Sequence, residues 1–357
     1  MNNPIKIGLV GLGRAGWGMH LEEIKNKTDK FQVVAVCDIL PERNDKAVER
    51  LGCKAYSSIE ELIADEEVEI VDIATRTVDH YNHAKMALKA GKSVLLEKPV
   101  CMSYSQAKEL YSLANKPGLP FLFARQNRRF EAVFNIVWDT MKTGVLGDVY
   151  EVTISQLGYQ RRDDWQTLSE FGGGQLLNWG PHIIDQSLML LGAPVKKQFG
   201  DMKQVAAGGD CEDHFSIHFI GENNRKVNMC ISGATALNEG RNYVAYGTRG
   251  AIECIQNHIH LKYINPEQKL PPVVSSPDTP GAAFGASGTY ESAFTPEWIE
   301  EEYDIKYEDL TVIWDHIYNS FRNGAEYPIK DEEVLNLMSV VSRMREDCEL
   351  ADFTAED

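Results

Sequence analysis

Two groups of side chains in this chain have the types and spacing that chemistry needs. The first is Lys98, in the run Ser93-Val94-Leu95-Leu96-Glu97-Lys98-Pro99. Three apolar residues ended by Glu-Lys-Pro predict a buried parallel strand that stops at its carboxyl end. Ligands of open α/β sheets bind outside those ends. An amine there reaches a ligand, and Pro99 stops the strand and stiffens the turn. A cis Lys98–Pro99 bond is compatible with the sequence but not readable from it. The second group follows the triple glycine Gly172-Gly173-Gly174. On a helix, Asn178, His182 and Asp185 stand at i, i+4 and i+7 and share one face. Pro181 fits if the helix starts only a few residues before it. Ile183, Ile184, Leu188 and Leu191 then serve the core. Taken singly, a strand-end lysine is more often a surface residue, and a helical histidine more often a hydrogen-bonded core group. The three glycines and the polar stripe move His182 towards a site.

These groups need elements to hold them. Ile5 to Val10 reads as a strand, and Gly11-Leu12-Gly13-Arg14-Ala15-Gly16 follows at once with a helix starting near Arg14. The G-x-G-x-x-G spacing is weak alone and much stronger between a strand and a helix. Gly11 makes the tight turn, Gly13 lets the backbone approach a pyrophosphate, and Gly16 lets helix and strand pack closely. The helix start turns its N–H groups to the phosphates. A second strand, Phe31 to Cys37, ends at Asp38, where the fingerprint places a partner for ribose hydroxyls. Its charge repels a 2′-phosphate, which favours NAD over NADP, while Arg43 in the next helix keeps NADP possible. The alternative for Asp38 is a turn or cap acid before Pro41. Strands at 54–56, 69–74, 93–96 and 120–124 alternate with helices, one of them opened by a Ser58/Glu61 capping box. This pattern predicts a doubly wound parallel sheet over residues 1–124.

Beyond residue 124 the pattern changes. After a helix over 131–141 come strand-like runs at 149–156, 214–219, 226–231, 243–247, 251–255 and 258–264. They predict an α/β domain with a large, mainly antiparallel sheet over residues 125–357. Residues 265–304 form a long irregular stretch carrying Phe284, Tyr290, Phe294 and Trp298, placed near the site or a subunit contact. Helices over 310–321 and 332–348 close the fold.

At 357 residues, with 43% apolar and 25% charged side chains, the chain can bury two cores. A net charge of −17 argues against nucleic acid or an anionic membrane as main partner. No apolar run approaches the ~18 residues of a membrane span. The chain runs from Met1 directly into its first strand with no signal peptide visible, and its seven cysteines are scattered without a C-x-x-C pair. Both features suggest reduced thiols, a cytoplasmic protein and no metal site. His80 and His83 stand at i,i+3 without the further ligands a metal needs.

The ordered set Gly11-Leu12-Gly13-Arg14-Ala15-Gly16, Glu97-Lys98-Pro99, Asn127-Arg128-Arg129-Phe130 and Gly172-Gly173-Gly174 … His182-x-x-Asp185 resembles the Gfo/Idh/MocA family of NAD(P)-dependent sugar and polyol oxidoreductases. The resemblance covers nearly the whole chain. It implies an N-terminal Rossmann domain, a C-terminal domain with a large open sheet, and a homodimer or homotetramer joined through that sheet. It also implies hydride transfer between a secondary alcohol of a carbohydrate or polyol and NAD(P). Lys98 and His182 are then catalytic. A cationic Lys98 stabilises the developing alkoxide, and a neutral His182 accepts the hydroxyl proton. Crowding by the oxidised nicotinamide would lower the Lys98 pKa and make it the alternative proton carrier. The implied cofactor contacts are Gly11, Leu12, Gly13, Arg14, Ala15, Asp38, Thr75, Arg76, His80, Glu97 and Lys98.

Two departures from the family pattern matter. Asn178 stands where many members have aspartate; it can orient a hydroxyl but cannot act as a base. Thr75-Arg76-Thr77 replaces the usual Thr-Pro-Asn, so Arg76 either reaches a cofactor phosphate or ribose or points to solvent. Candidate substrate contacts are Arg128, Gln156, Trp165, Trp179 and Asp185, with Arg161-Arg162 available for an anion. Two rival functions remain. One is a lyase or hydrolase that oxidises a glycoside transiently with NAD held tightly. The other is a non-catalytic NAD or sugar sensor.

Overall fold

Continuous apolar runs become the first layer. The computed structural model describes residues 3–237, 239–275, 277, 294–305 and 309–354. Strands β1 (Ile5–Val10), β2 (Phe31–Cys37), β3 (Lys54–Tyr56), β4 (Ile70–Ile73), β5 (Ser93–Leu96) and β6 (Leu122–Ala124) are all parallel, in the order β3-β2-β1-β4-β5-β6. Every residue of β4 and β5 is buried. Helices on both faces leave such strands no polar side, so they read as unbroken apolar runs. The order reverses between β1 and β4, which opens a crevice at their carboxyl ends. The helix after β1 is π-helical over Gly16–His20 and continues as α1 (Leu21–Ile24). Then follow α2 (Pro41–Leu51), α3 (Ile59–Ala64), α4 (Thr77–Lys89) and α5 (Tyr104–Ser112). Ser58 caps α3 as expected, accepting from the Glu61 N–H. The Glu61 carboxylate, however, reaches back to Ser57.

A second sheet holds nine strands. After α6 (Ala132–Thr143) come β7 (Val149–Leu157), α7 (Gln175–Asn178), α8 (Gly180–Leu191), β8 (Val195–Gln204), β9 (His214–Gly221), β10 (Lys226–Ser232), β11 (Gly240–Gly247), β12 (Gly250–Ile255), β13 (His258–Ile264), β14 (Trp298–Asp304) and β15 (Leu350–Asp352). The sheet order is β14-β13-β12-β11-β7-β10-β9-β8-β15. Neighbours are antiparallel except β7 with β10 and β8 with β15. Helices α6 and α8 pack on one face.

Three strands escape the sequence pattern. β8, β14 and β15 carry too many polar residues to alternate cleanly. β14 (Trp-Ile-Glu-Glu-Glu-Tyr-Asp) is held by cross-strand charge: Glu300 faces Lys262 and His260, and Asp304 faces His258. Part of the irregular stretch at 265–304 is therefore strand. Phe284 and Tyr290, within that stretch, lie outside the described residues.

The two closing helices, Val312–Asn323 and Asp331–Asp347, were grouped by sequence with the second domain. The first of them docks on the parallel sheet. Trp314 is fully buried against Phe31 and donates to Glu23 at 2.6 Å. Asp315 pairs with Lys27 and Lys30, and Arg322 with Glu69. The second packs on both α8 and α5. Apolar residues of both sheets and these helices join in one connected core.

Candidate active site

The glycine loop is shaped by what surrounds it. Gly11 has φ +93°, and a Cβ there would lie 2.6 Å from the Ala74 carbonyl oxygen. A Cβ on Gly16 would lie 2.0 Å from the Gly11 carbonyl oxygen, so turn and helix touch. Around Gly13 the nearest neighbour of such a Cβ is Arg43 Nη1 at 3.9 Å, so the loop is open there. That open edge, at a helix start, suits a pyrophosphate. Asp38 stands at the end of β2, and its carboxylate accepts from the N–H groups of Leu12 (2.7 Å) and Leu40 (2.9 Å). Arg43 Nη1 lies 3.3 Å from it. Asp38 thus braces the loop beside the place where a ribose would sit. Arg14 and Ala15 form the first helical residues after the loop.

Two of the expected cofactor contacts also hold protein neighbours together. His80 is buried; its Nδ1 lies 2.7 Å from the Pro99 carbonyl and its Nε2 3.2 Å from that of Thr75. It ties together the turns that follow β4 and β5. Arg76 is exposed, and its guanidinium sits 4.2 Å from the Phe171 ring centre. This cation–π contact links the first domain to the triple-glycine segment. Thr75 stays at the carboxyl end of β4, with its hydroxyl 3.3 Å from His83 Nδ1.

The triple glycine lets that segment approach its neighbours. A Cβ on Gly172 would meet Thr77 and Met102 at 2.7 Å, and one on Gly174 would meet the Glu212 carboxylate at 2.3 Å. Gly174 also has φ +95°. Helices α7 and α8 meet at Trp179, so Asn178 and His182 flank a joint relieved by Pro181 at the start of α8.

Lys98 crosses to this joint. The Lys98–Pro99 bond is cis. The Lys98 ammonium donates to the Asn178 backbone carbonyl at 2.9 Å, and the Asn178 Oδ1 lies at 3.5 Å. Burial lowers the Lys98 pKa; Glu97 opposes that, and Arg125, Arg128 and Arg14 reinforce it. Burial also holds the His182 pKa well below the usual imidazole value, with help from the charges of Lys98 and Arg128. His182 is neutral at pH 7 and 7% exposed, and its Nδ1 has no hydrogen-bond partner among the described residues. A buried ring nitrogen without a partner costs about 1–3 kcal/mol.

Of the expected substrate contacts, Arg128, Gln156 and Trp179 come together. The Arg128 and Arg241 guanidinium carbons lie 5.3 and 5.4 Å from the Trp179 ring centre, and both arginines pair with the fully buried Glu131. Gln156 accepts from Arg241 Nε at 3.1 Å. The Trp179 indole is thus engaged by two guanidinium groups. Trp165 lies on a short 3-10 helix, next to Gln166, which lines a small crevice with Arg162 and Asn178. Asp185 does not face the cleft. It is 3% exposed, and both oxygens lie 2.6 Å from Arg129 nitrogens. The paired guanidinium satisfies it, so a substrate role is replaced by an internal ion pair. Arg129, Glu131 and Arg241 were missed because the pairs Arg129–Asp185 and Glu131–Arg241 join residues 56 and 110 positions apart and leave no local signal.

Behind Lys98 lies a buried charge cluster that sequence reading also missed. His20 Nδ1 lies 2.8 Å from Asp72, and its Nε2 2.9 Å from Glu97 Oε1. Arg125 Nη1 reaches the same Glu97 oxygen at 2.8 Å, and its Nη2 reaches Glu23. Glu97 Oε2 accepts the Lys98 N–H at 3.0 Å. Burial opposes the His20 charge, but Asp72 and the hydrogen bonds prevail over it and over Arg125, and raise its pKa to about 9. Burial likewise opposes the Glu97 charge, and Arg125 and His20 hold that carboxyl well below its usual range. A histidine on the buried side of the fingerprint helix was the available clue.

Residues 5–124 match the model of an oxidoreductase family with an NAD-binding Rossmann fold, and residues 135–253 match the GFO/IDH/MocA C-terminal domain. An uncharacterized oxidoreductase of Schizosaccharomyces pombe is 30% identical over 304 residues, which cover 82% of this chain and 79% of that one. The chain belongs to the Gfo/Idh/MocA oxidoreductase family. Another relative, the D-glucoside 3-dehydrogenase of Escherichia coli, is 26% identical over 200 residues, covering 55% of this chain and 56% of that one. The crystal structure of an NAD-binding protein from Listeria innocua shares the fold, with a TM-score of 0.79 at 23% identity and 97% of each chain covered. Membership makes this chain an NAD(P)-dependent dehydrogenase and its first domain the nicotinamide-cofactor domain. Among the described residues no helix is long and apolar enough to cross a membrane, and no group of three or more His, Cys, Asp or Glu side chains could hold a metal ion.

Proposed function

We propose that the protein oxidises a secondary hydroxyl of a sugar, polyol or glycoside and passes the hydride to NAD, with NADP as the lesser cofactor. One observation carries this reading: the neutral imidazole of His182 stands one turn beyond the carbonyl that holds the Lys98 ammonium. The bound cofactor supplies the hydride acceptor. Gly11, Leu12, Gly13, Arg14 and Ala15 cradle its pyrophosphate, Asp38 meets a ribose, and Thr75 and Glu97 border the crevice. Asp38 disfavours a 2′-phosphate, while Arg43 beside it leaves room for one.

The substrate hydroxyl sits against the accessible edge of the His182 ring, which takes its proton; the neutral ring is ready to do so. The Lys98 ammonium faces the same oxygen and stabilises its developing charge. Asn178 sets the ammonium in place through its backbone carbonyl and needs no charge for that. Arg128, Gln156, Trp165 and Trp179 border the substrate. We also propose a cytoplasmic homodimer or homotetramer joined through the open face of the nine-stranded sheet, where Phe199 and Tyr246 are exposed. A panel of inositols, aldoses and glycosides, read by absorbance of the reduced cofactor with NAD and NADP side by side, tests the reading. Reduction with at least one of them is expected. A nucleotide that binds without any turnover across the panel overturns it, and net product without reduced cofactor favours transient oxidation instead.

A further inference from the structure

The cluster behind Lys98 does more than fill the interior. Each nitrogen of the His20 ring faces a carboxylate oxygen, and such oxygens only accept hydrogen bonds. A neutral ring would set one lone pair against a carboxylate, so the geometry calls for the doubly protonated form. Of the two carboxylates, Glu97 directly precedes Lys98 and accepts the Lys98 N–H. Three donors from three elements therefore hold Glu97: His20 from the fingerprint helix, Arg125 after β6, and the Lys98 peptide.

We propose that His20, as an imidazolium bridging Asp72 and Glu97, is a positioning residue that sets both the placement and the protonation of the Lys98 amine. The inference rests on the dehydrogenase reading of Lys98. Charge counting gives it a direction. Asp72, Glu97 and Glu23 face His20 and Arg125, so the cluster carries one excess negative charge, felt by Lys98 mainly through Glu97. The Trp314 ring closes the remaining side, edge-on to His20 at 5.7 Å between centres. On the cleft side, Lys98 faces the cations Arg128 and Arg14, the Asn178 carbonyl and the neutral His182. Removing the His20 charge doubles the negative excess behind the amine and favours its protonated form. Removing the Asp72 charge as well restores the balance.

The test measures the Lys98 titration midpoint by competitive acetylation and mass spectrometry across pH, in the parental protein, His20→Gln and His20→Gln/Asp72→Asn. Expected is an upward shift of roughly 0.5–1 pH unit in the single variant and its return in the double variant. The alkaline limb of kcat should move with the midpoint, and NAD affinity should stay within about threefold. An unmoved midpoint in His20→Gln overturns the inference, as does a shift that the double variant fails to reverse. If His20→Gln does not fold, nitrogen-15 spectra of histidine-labelled parental protein decide. Both ring nitrogens of His20 protonated at pH 7.5 supports the inference, and a neutral ring overturns it. The acetylation needs no substrate, so a midpoint that moves in a protein that oxidises nothing sinks the dehydrogenase reading alone.

Discussion

Two polar clusters sit back to back at the end of β5, and they are finished differently. In the buried cluster, every oxygen of Asp72, Glu97 and Glu23 accepts a hydrogen bond, and among the described residues Arg125 Nε is its unpaired atom. In the cleft, among the described residues, a lysine carries no direct carboxylate partner in its hydrogen bonds, and a histidine nitrogen has no partner. The first cluster raises the pKa of its histidine to about 9, and the second drives its histidine well below the usual value. The same side chain is thus made a fixed cation on one side and a ready base on the other. Closed polar networks rigidify, and open ones wait for a ligand.

The comparison breaks most readily at the cleft. His182→Ala and Lys98→Ala should each lower kcat by ~10²–10⁴-fold while NAD still binds, as titration of protein fluorescence would record. Parental turnover in both variants would end the catalytic reading of the two residues. Next in size is the ion pair that holds α8. Asp185→Asn leaves Arg129 without its bidentate partner and should cost about 3–5 kcal/mol in urea unfolding. Loss of that size, with residual turnover in the folded fraction, would mark Asp185 as structural. A third effect comes from pH.

Because the folded-state pKa of His20 is raised, its contribution is full below about pH 6.5 and is lost as pH rises through about 9. The His182 pKa is depressed, so stability falls as pH drops below the unfolded value of about 6.5. Glu97, also depressed, adds loss only in stronger acid, below about pH 4.3. Thermal melts at pH 5.5, 7 and 9.5 should therefore be highest in the middle. The His20→Gln variant should lose the alkaline decline and keep the acid one. Smallest is Asn178→Asp, which sets a carboxylate near the Lys98 ammonium at the position of the present 3.5 Å contact. It should raise the Lys98 pKa and change kcat by less than about tenfold, shifting the pH–rate profile upward.

Local pattern carried the first half of the fold. Strands buried on both faces and the Gly11–Gly16 spacing leave a signature within a few residues. The second sheet was readable as antiparallel, but β8, β14 and β15 were not, because charged cross-strand pairs replace apolar alternation there. The site's outer ring was the least legible part. Arg241 meets Glu131, Arg129 meets Asp185, and His20 meets Glu97, each through a fold-level encounter that no spacing announces. Asp185 was misassigned for the same reason: one helix face was visible, its opposite number was not.

The docking of Val312–Asn323 on the parallel sheet has a mechanical consequence. The chain passes between lobes after β6, after β14 and again between Val312–Asn323 and β15, so more than one tether spans the cleft. Several crossings hold the lobes together more firmly than a single hinge would, and sideways drift of one lobe over the other is suppressed. A fragment cut at residue 124 would lack the indole that covers Phe31 and would present bare apolar surface. The nucleotide lobe is completed only when the far end of the polypeptide returns to it.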